Sequence, residues 1–160
     1  MLSLEYIKTK QEVLDIFDFT SKLDGEIVFD EDFQIHKFKP SYMAWSKEDY
    51  CSYHINEGLI EVCKNFNKVV GVSCFKKEKF LKTITVQKIL AIQDNYETII
   101  KTLINSRISN IRDQSDVFNN LAIKVDDINE KLMKLLNSLG FSSKIDKITG
   151  QFNFTKEFKF

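Results

Sequence analysis

Few residues of this chain have the type and spacing that chemistry needs. Cys51 and His54 stand three apart. On a helix they would share one face, a turn from each other. Such a pair could act as thiol nucleophile and base. A helix-surface histidine beside a small apolar cysteine accounts for the same spacing. His54 is one of two histidines and the best candidate for a general base near neutral pH. Asp94 follows a long apolar segment, where its expected role is to cap the next helix. Lys76, Lys77, Lys79 and Lys82 crowd one short stretch. They could meet a phosphate, or keep a hairpin edge soluble. Residues 1–32 hold Lys8, Lys10 and Lys22 against nine carboxylates, a net of −6. That field would attract a cationic amine, and a solvated helix surface explains it too. Cys51, Cys63 and Cys74 form an odd set without a Cys-x-x-Cys pair. Neither a disulfide framework nor a zinc site is expected, and no metal site is assigned.

These residues need a scaffold. A length of 160 residues suits one domain spanning 1–160. With 43% hydrophobic and 29% charged residues the chain reads as globular rather than disordered. Fourteen Phe suggest heavy use of that side chain as core filling. A net charge of zero removes the domain-wide basic field expected of a nucleic-acid binder. No apolar run is long enough to span a membrane, and the first residues do not read as a signal peptide. The expected setting is a reducing cytoplasm.

The elements follow from periodicity and punctuation. Leu2–Ile7 alternates as a strand. Thr9 precedes a helical stripe of Val13, Ile16, Phe17, Thr20 and Leu23 that Gly25 would stop. Ser46 opens a second helix running to about Glu57. Leu59–Cys63 and Lys68–Phe75 form a hairpin, and Lys76–Lys79 the next turn. Phe80–Ile92 reads as one long buried strand. Tyr96, Ile99, Ile100, Leu103, Ile104 and Ile108 mark an amphipathic helix, and Phe118–Val125 a strand. Ile128, Leu132, Leu135, Leu136 and Leu139 mark the last helix, with Asp126 or Asp127 as caps. Gly140 at C′ and Phe141 at C″ predict a Schellman end over Leu136. A hairpin around Thr149-Gly150 closes the chain. The class is α+β, sandwich-like with helices on both faces of a mostly antiparallel mixed sheet. It has six to seven strands, about four helices and one helical crossover.

That order resembles the Gcn5-related N-acetyltransferase superfamily. Asn129, Leu136 and Leu139-Gly140-Phe141 stand where the family's last helix carries Asn, Tyr and Leu-Gly-Phe. Val69-Val70-Gly71-Val72 resembles its Val-Gly strand. The resemblance implies an acyl-CoA N-acyltransferase fold and acetyl-CoA as cofactor. It also implies contacts to that cofactor from Leu90, Ala91, Ile92, Tyr96, Thr98, Ile99 and Asn129. Two departures stand out. The family's glycine-rich phosphate turn is here Tyr96-Glu97-Thr98-Ile99-Ile100-Lys101-Thr102, without glycine. The family's Tyr, which protonates the departing thiolate, is here Leu136. His54 is then the remaining base, on the acceptor side of the family's cleft.

Two functions follow. One is an acyl-CoA-dependent N-acetyltransferase acting on a small cationic amine, with water or His54 handling protons. The other is a catalytically silent binding module of the same fold. A ligand-binding α+β domain outside the family is a third. The partner expected is a small-molecule amine, with neither nucleic acid nor membrane, and a homodimer is the assembly to look for.

Overall fold

The computed structural model describes residues 1–7, 9, 11–12, 60–125 and 129–160. They contain β1 (Leu2–Tyr6), β2 (Ile60–Asn65), β3 (Lys68–Glu78), β4 (Thr83–Ala91), α1 (Tyr96–Asp113), β5 (Asn120–Val125), α2 (Glu130–Ser138), β6 (Ser142–Ile145) and β7 (Phe152–Glu157). The seven strands share one sheet in the order β1-β2-β3-β4-β5-β7-β6. β4 and β5 run parallel across the α1 crossover, while β1–β2, β2–β3, β5–β7 and β6–β7 are antiparallel. The mixed sheet and single crossover are those expected. The helix count is not: the described residues hold two α-helices and a 3-10 turn at Lys79–Leu81, where about four helices were expected. The helices expected after Thr9 and from Ser46 fall on residues outside those described, apart from helical Gln11 and Glu12.

Among the described residues, Thr9 and Glu12 bond reciprocally. The Glu12 N–H donates to Thr9 Oγ1 at 3.2 Å, and the Thr9 N–H donates to Glu12 Oε1 at 3.1 Å. This is a capping box, written in the sequence as Thr-x-x-Glu. Thr9→Ala should lower stability by about 1 kcal/mol, readable as a lower urea midpoint at unchanged slope.

Two compact units divide the chain, Met1–Cys74 with Ile89–Leu103, and Phe75–Lys88 with Ile104–Phe160. In the first, Ile60, Val62, Val70 and Val72 of the strands and Ile99, Ile100 and Leu103 of α1 are buried. Gly71 lets strand and helix meet: a Cβ there would stand 2.5 Å from Ile99 Cγ2 and 3.1 Å from the Leu90 carbonyl oxygen. In the second, Ile84, Val86, Ile104, Ile111, Phe118, Leu121, Ile123, Leu136 and Phe154 are buried. Arg107 is fully buried among them, its guanidinium 3.7 Å from the Phe75 ring centroid. Its Nε donates to Asn110 Oδ1 and a terminal nitrogen to Ser106 Oγ, both at 3.0 Å. A buried guanidinium is stabilised by such acceptors and by the ring face.

Several boundaries differ from the sequence reading. β3 continues through Lys76 and Lys77 to Glu78, so the turn lies later, at Lys79–Leu81. Lys82 closes it in the left-handed region at φ 52°. β4 therefore starts at Thr83, not Phe80, and Phe80 is 99% exposed. Core filling accounts for Phe75, Phe118, Phe141 and Phe154, while Phe66, Phe80 and Phe160 are exposed. No described helix is long and apolar enough to cross a membrane.

Candidate functional site

Parallel strands stay paired only while their backbones remain about 5 Å apart. β4 and β5 are in register from Thr83↔Asn120 to Val86↔Ile123, and there the pairing stops. Both strands go on, β4 through Gln87 and Lys88, and β5 through Lys124 and Val125. The backbone edges of these residues are thus released from each other. The register also settles the pleat. Lys88 falls on the face of Val86 and Ile123 and is only 4% exposed. Gln87 falls on the opposite face with Thr85, Ala122 and Lys124, and is half-buried. No carboxylate stands on this part of β4.

The end of β4 leads into α1. Leu90 and Ala91 are buried, and the Ile92 N–H donates to the Val70 carbonyl at 3.0 Å. That donor is spent on β3, which leaves the backbone around it, not Ile92 N–H, to meet a ligand. Asp94 makes no hydrogen bond to the helix start among the described residues. The first turn is organised by Asn95, at φ 60°, whose carbonyl accepts the Ile99 N–H at 3.0 Å. The Tyr96 N–H reaches back to Gln93 O at 3.1 Å. Between them, the N–H groups of Glu97 and Thr98 find no acceptor among the described residues, the usual condition of a helix start. Such donors suit an anion. Tyr96 and Ile99 are buried, so they shape the turn from below, and Thr98 is exposed.

Glu97 is the residue that should oppose an anion here. Its Oε1 lies 2.8 Å from Lys101 Nζ, one turn along. Hydrogen bonding and attraction from Lys101 hold its carboxyl below the usual carboxylate range. The carboxylate is therefore ionised at neutral pH but turned down the helix, and its cationic partner offsets its field. The residues present fit a phosphate-bearing cofactor through backbone donors, not through glycine.

Asn129 is the N-cap of α2, where Asp126 or Asp127 was expected. Its Oδ1 accepts the Leu132 N–H at 3.2 Å, and the residue is 8% exposed. Asn followed by Glu130 is a start signal readable in the sequence. The far end of α2 is as expected: Phe141 N–H donates to Leu136 O and Gly140 N–H to Asn137 O, both at 3.1 Å, with Gly140 at φ 86°. Leu136 has no exposed surface. His54 and Cys51 lie outside the described residues. Cys63 and Cys74 are buried and in no disulfide among the described residues. Burial, helped by Glu61, pushes the Cys63 thiol up, so it is a poor nucleophile. Two acidic residues of the N-terminal segment have structural work: Glu5 pairs with Lys64, and Glu12 completes the capping box.

No protein-family profile matches the sequence, and no curated protein matches it. Solved structures do match in fold. The PaiA N-acetyltransferase from Thermoplasma acidophilum, solved with coenzyme A, superposes at TM-score 0.69 with 11% identity, covering 99% of each chain. The ribosomal-protein-S18-alanine N-acetyltransferase from Escherichia coli superposes at 0.64 with 13% identity, over 97% of this chain and 91% of that one. The microcin C7 self-immunity acetyltransferase, solved with acetyl-CoA and AMP, superposes at 0.67 with 19% identity, over 98% of this chain and 92% of that one. The resemblance drawn from Asn129, Gly71 and the Leu139-Gly140-Phe141 end thus holds at the level of architecture: this chain has the fold of the Gcn5-related N-acetyltransferases.

Proposed function

We propose that the chain is an acyl-CoA-dependent N-acetyltransferase acting on a small cationic amine. The observation that carries the reading is the end of β4–β5 pairing at Val86↔Ile123 while both strands continue. Released strand edges offer the backbone donors and acceptors that an extended amide-bearing arm can pair with. Acyl-CoA, when bound, supplies the activated acyl thioester. The N–H groups of Glu97 and Thr98 would hold its phosphates, with Tyr96 and Ile99 supporting that turn. Backbone of Leu90, Ala91 and Ile92 would line the arm, and Asn129 would add a polar contact. Water or His54 would take the amine proton.

A second reading, a catalytically silent binding module of this fold, is favoured by one observation. Leu136 is sealed in the core, so that position of α2 offers no proton donor.

Thermal melting separates the two. Millimolar acetyl-CoA should raise Tm by several degrees, since a ligand at ~100 times its Kd stabilises by about 2.7 kcal/mol. Glu97→Gln should enlarge the shift, because it removes a like charge beside the phosphates. An unchanged Tm in folded protein would remove the transferase reading and leave the module.

A further inference from the structure

The lysine-rich stretch that stood out in the sequence folds around two exposed apolar side chains. β3 ends at Glu78, and the 3-10 turn Lys79–Leu81 follows. Phe80 is 99% exposed and Leu81 59%. Lys77, Lys79 and Lys82 are exposed beside them, and Lys76 is half-buried. The turn is held in place by hydrogen bonds. The Lys82 N–H donates to Lys79 O at 3.1 Å, and Thr83 Oγ1 donates to Leu81 O at 2.8 Å. Lys82 O in turn accepts the N–H groups of Asn119 at 3.0 Å and Asn120 at 3.1 Å. Lys82 stands at φ 52°, in the left-handed region where glycine folds at least cost. The chain has a lysine there instead, which sets a cation at the foot of the tip.

Residues 76–82 hold four lysines and one carboxylate, in a chain whose net charge is zero. That carboxylate, Glu78, accepts the Thr85 hydroxyl at 2.6 Å and lies 3.9 Å from Lys76 Nζ. Lys77 Nζ donates to Gln114 Oε1 at 3.4 Å. Lys79 and Lys82 make no ion pair among the described residues. The end of β7 reaches the same end of the sheet, since it runs antiparallel to β5 and the Phe158 N–H donates to Asn119 O at 2.8 Å. There Phe160 is 60% exposed, with the Arg112 guanidinium 5.3 Å from its ring centroid. Asp113, Asp116 and Glu157 share that end with Arg112 and Lys159, and all five are exposed. Together six cations stand against four carboxylates, so the field stays positive.

We infer that this tip docks on the surface of an anionic lipid bilayer. Phe80 and Leu81 enter the boundary between headgroups and acyl chains, and Lys77, Lys79 and Lys82 meet the anionic headgroups. Keeping a hairpin soluble asks for the lysines but not for two apolar side chains at the apex. A protein partner would need a pocket for a protruding tip, and far more contact area than two side chains supply. A fluid bilayer yields around the tip and forms its own pocket. The turn is already fixed by its hydrogen bonds, so little ordering is lost on insertion. The expectation of no membrane partner rested on the lack of a spanning segment, and docking at the surface requires none. The inference is independent of the acyl-transfer reading, whose candidate phosphate turn follows β4, while this turn precedes it.

Flotation of the full chain with lipid vesicles tests this. Phosphatidylcholine vesicles containing about one-third phosphatidylserine should carry the chain at low salt, and pure phosphatidylcholine vesicles should not. Phe80→Ser should weaken binding at least about tenfold, the scale of withdrawing one large apolar side chain. Lys79→Gln and Lys82→Asn should each weaken it about fivefold. All three positions are exposed, and asparagine tolerates the left-handed region, so an unchanged Tm should confirm that each variant folds. Absence of flotation with the phosphatidylserine vesicles overturns the proposal. Flotation undiminished in Phe80→Ser also overturns it, since charge alone would then hold the chain. Polyglutamate that displaces the vesicles and binds the wild type and Phe80→Ser chains alike overturns it in favour of an acidic protein partner.

Discussion

Leu136→Ala is expected to lower stability by about 3 kcal/mol, within the ~2–5 kcal/mol seen when a buried leucine is cut to alanine. Leu136 is fully buried and its carbonyl takes the Phe141 N–H at the Schellman end of α2. Truncation opens a cavity under that end, which cannot collapse freely because Gly140 and Phe141 fix the chain there. For a chain of this length, each kcal/mol moves Tm by about 2–4 °C, so a fall of roughly 6–12 °C should be seen. The same site answers a functional question. Tyrosine is the residue the related fold uses as a proton donor, so Leu136→Tyr looks like a repair. It should instead overpack the core, costing about 1–3 kcal/mol, with no gain in acetyl transfer. A faster, equally stable Leu136→Tyr protein would show that this position faces the reaction after all.

Gly71→Ala should cost about 2 kcal/mol, the scale of inserting a methyl into a full core. The added carbon would lie 2.5 Å from Ile99 Cγ2, 3.1 Å from Leu90 O and 3.3 Å from Leu103 Cδ1. The first contact is prohibitive, and it belongs to the branch methyl of a β-branched side chain on α1. Leucine has no such methyl. Ile99→Leu should therefore recover much of the loss, and the double-mutant cycle should show coupling of about 1 kcal/mol. Additive effects would mean that the Leu90 carbonyl, not Ile99, is the obstacle. The consequence reaches function because Ile99 is in the first turn of α1, beside the open N–H groups of Glu97 and Thr98. Displacing that turn should weaken acetyl-CoA binding in Gly71→Ala more than its stability loss predicts.

Much of the scaffold was legible because its signals are local. Gly140 and Phe141 announce the end of α2 through conformations that only a few neighbouring residues decide. The Thr149-Gly150 hairpin and the α1 crossover follow from turn chemistry and apolar period in the same way. Where local signals compete, the element boundary lies a few residues from where they point. The run from Phe80 is apolar, so it reads as strand. The chain instead turns at Lys79–Leu81, and Lys82 O accepts the N–H groups of Asn119 and Asn120. That anchor lies nearly forty residues downstream, beyond any local window. Asn129, a cofactor contact by the resemblance, is the cap of α2 in place of Asp126 or Asp127, although Asn-Glu at the head of an apolar stripe carries that signal.

The sequence by itself determined the order of the described strands and helices, the C-terminal end of α2, the crossover and the absence of glycine at the start of α1. Each depends on backbone preferences within a few residues. Tertiary structure alone decided which side chains lie together. Chain order would set β6 beside β5, yet β7 lies between them, because β7 pairs antiparallel with both. That insertion puts Lys124, Asn153 and Lys144 in one row. It likewise took the register to show that β4 and β5 part after Val86↔Ile123, and the packing to show that Leu136 is sealed. Pairing and packing are set by surfaces that meet across long stretches of chain, and no spacing within one segment records them.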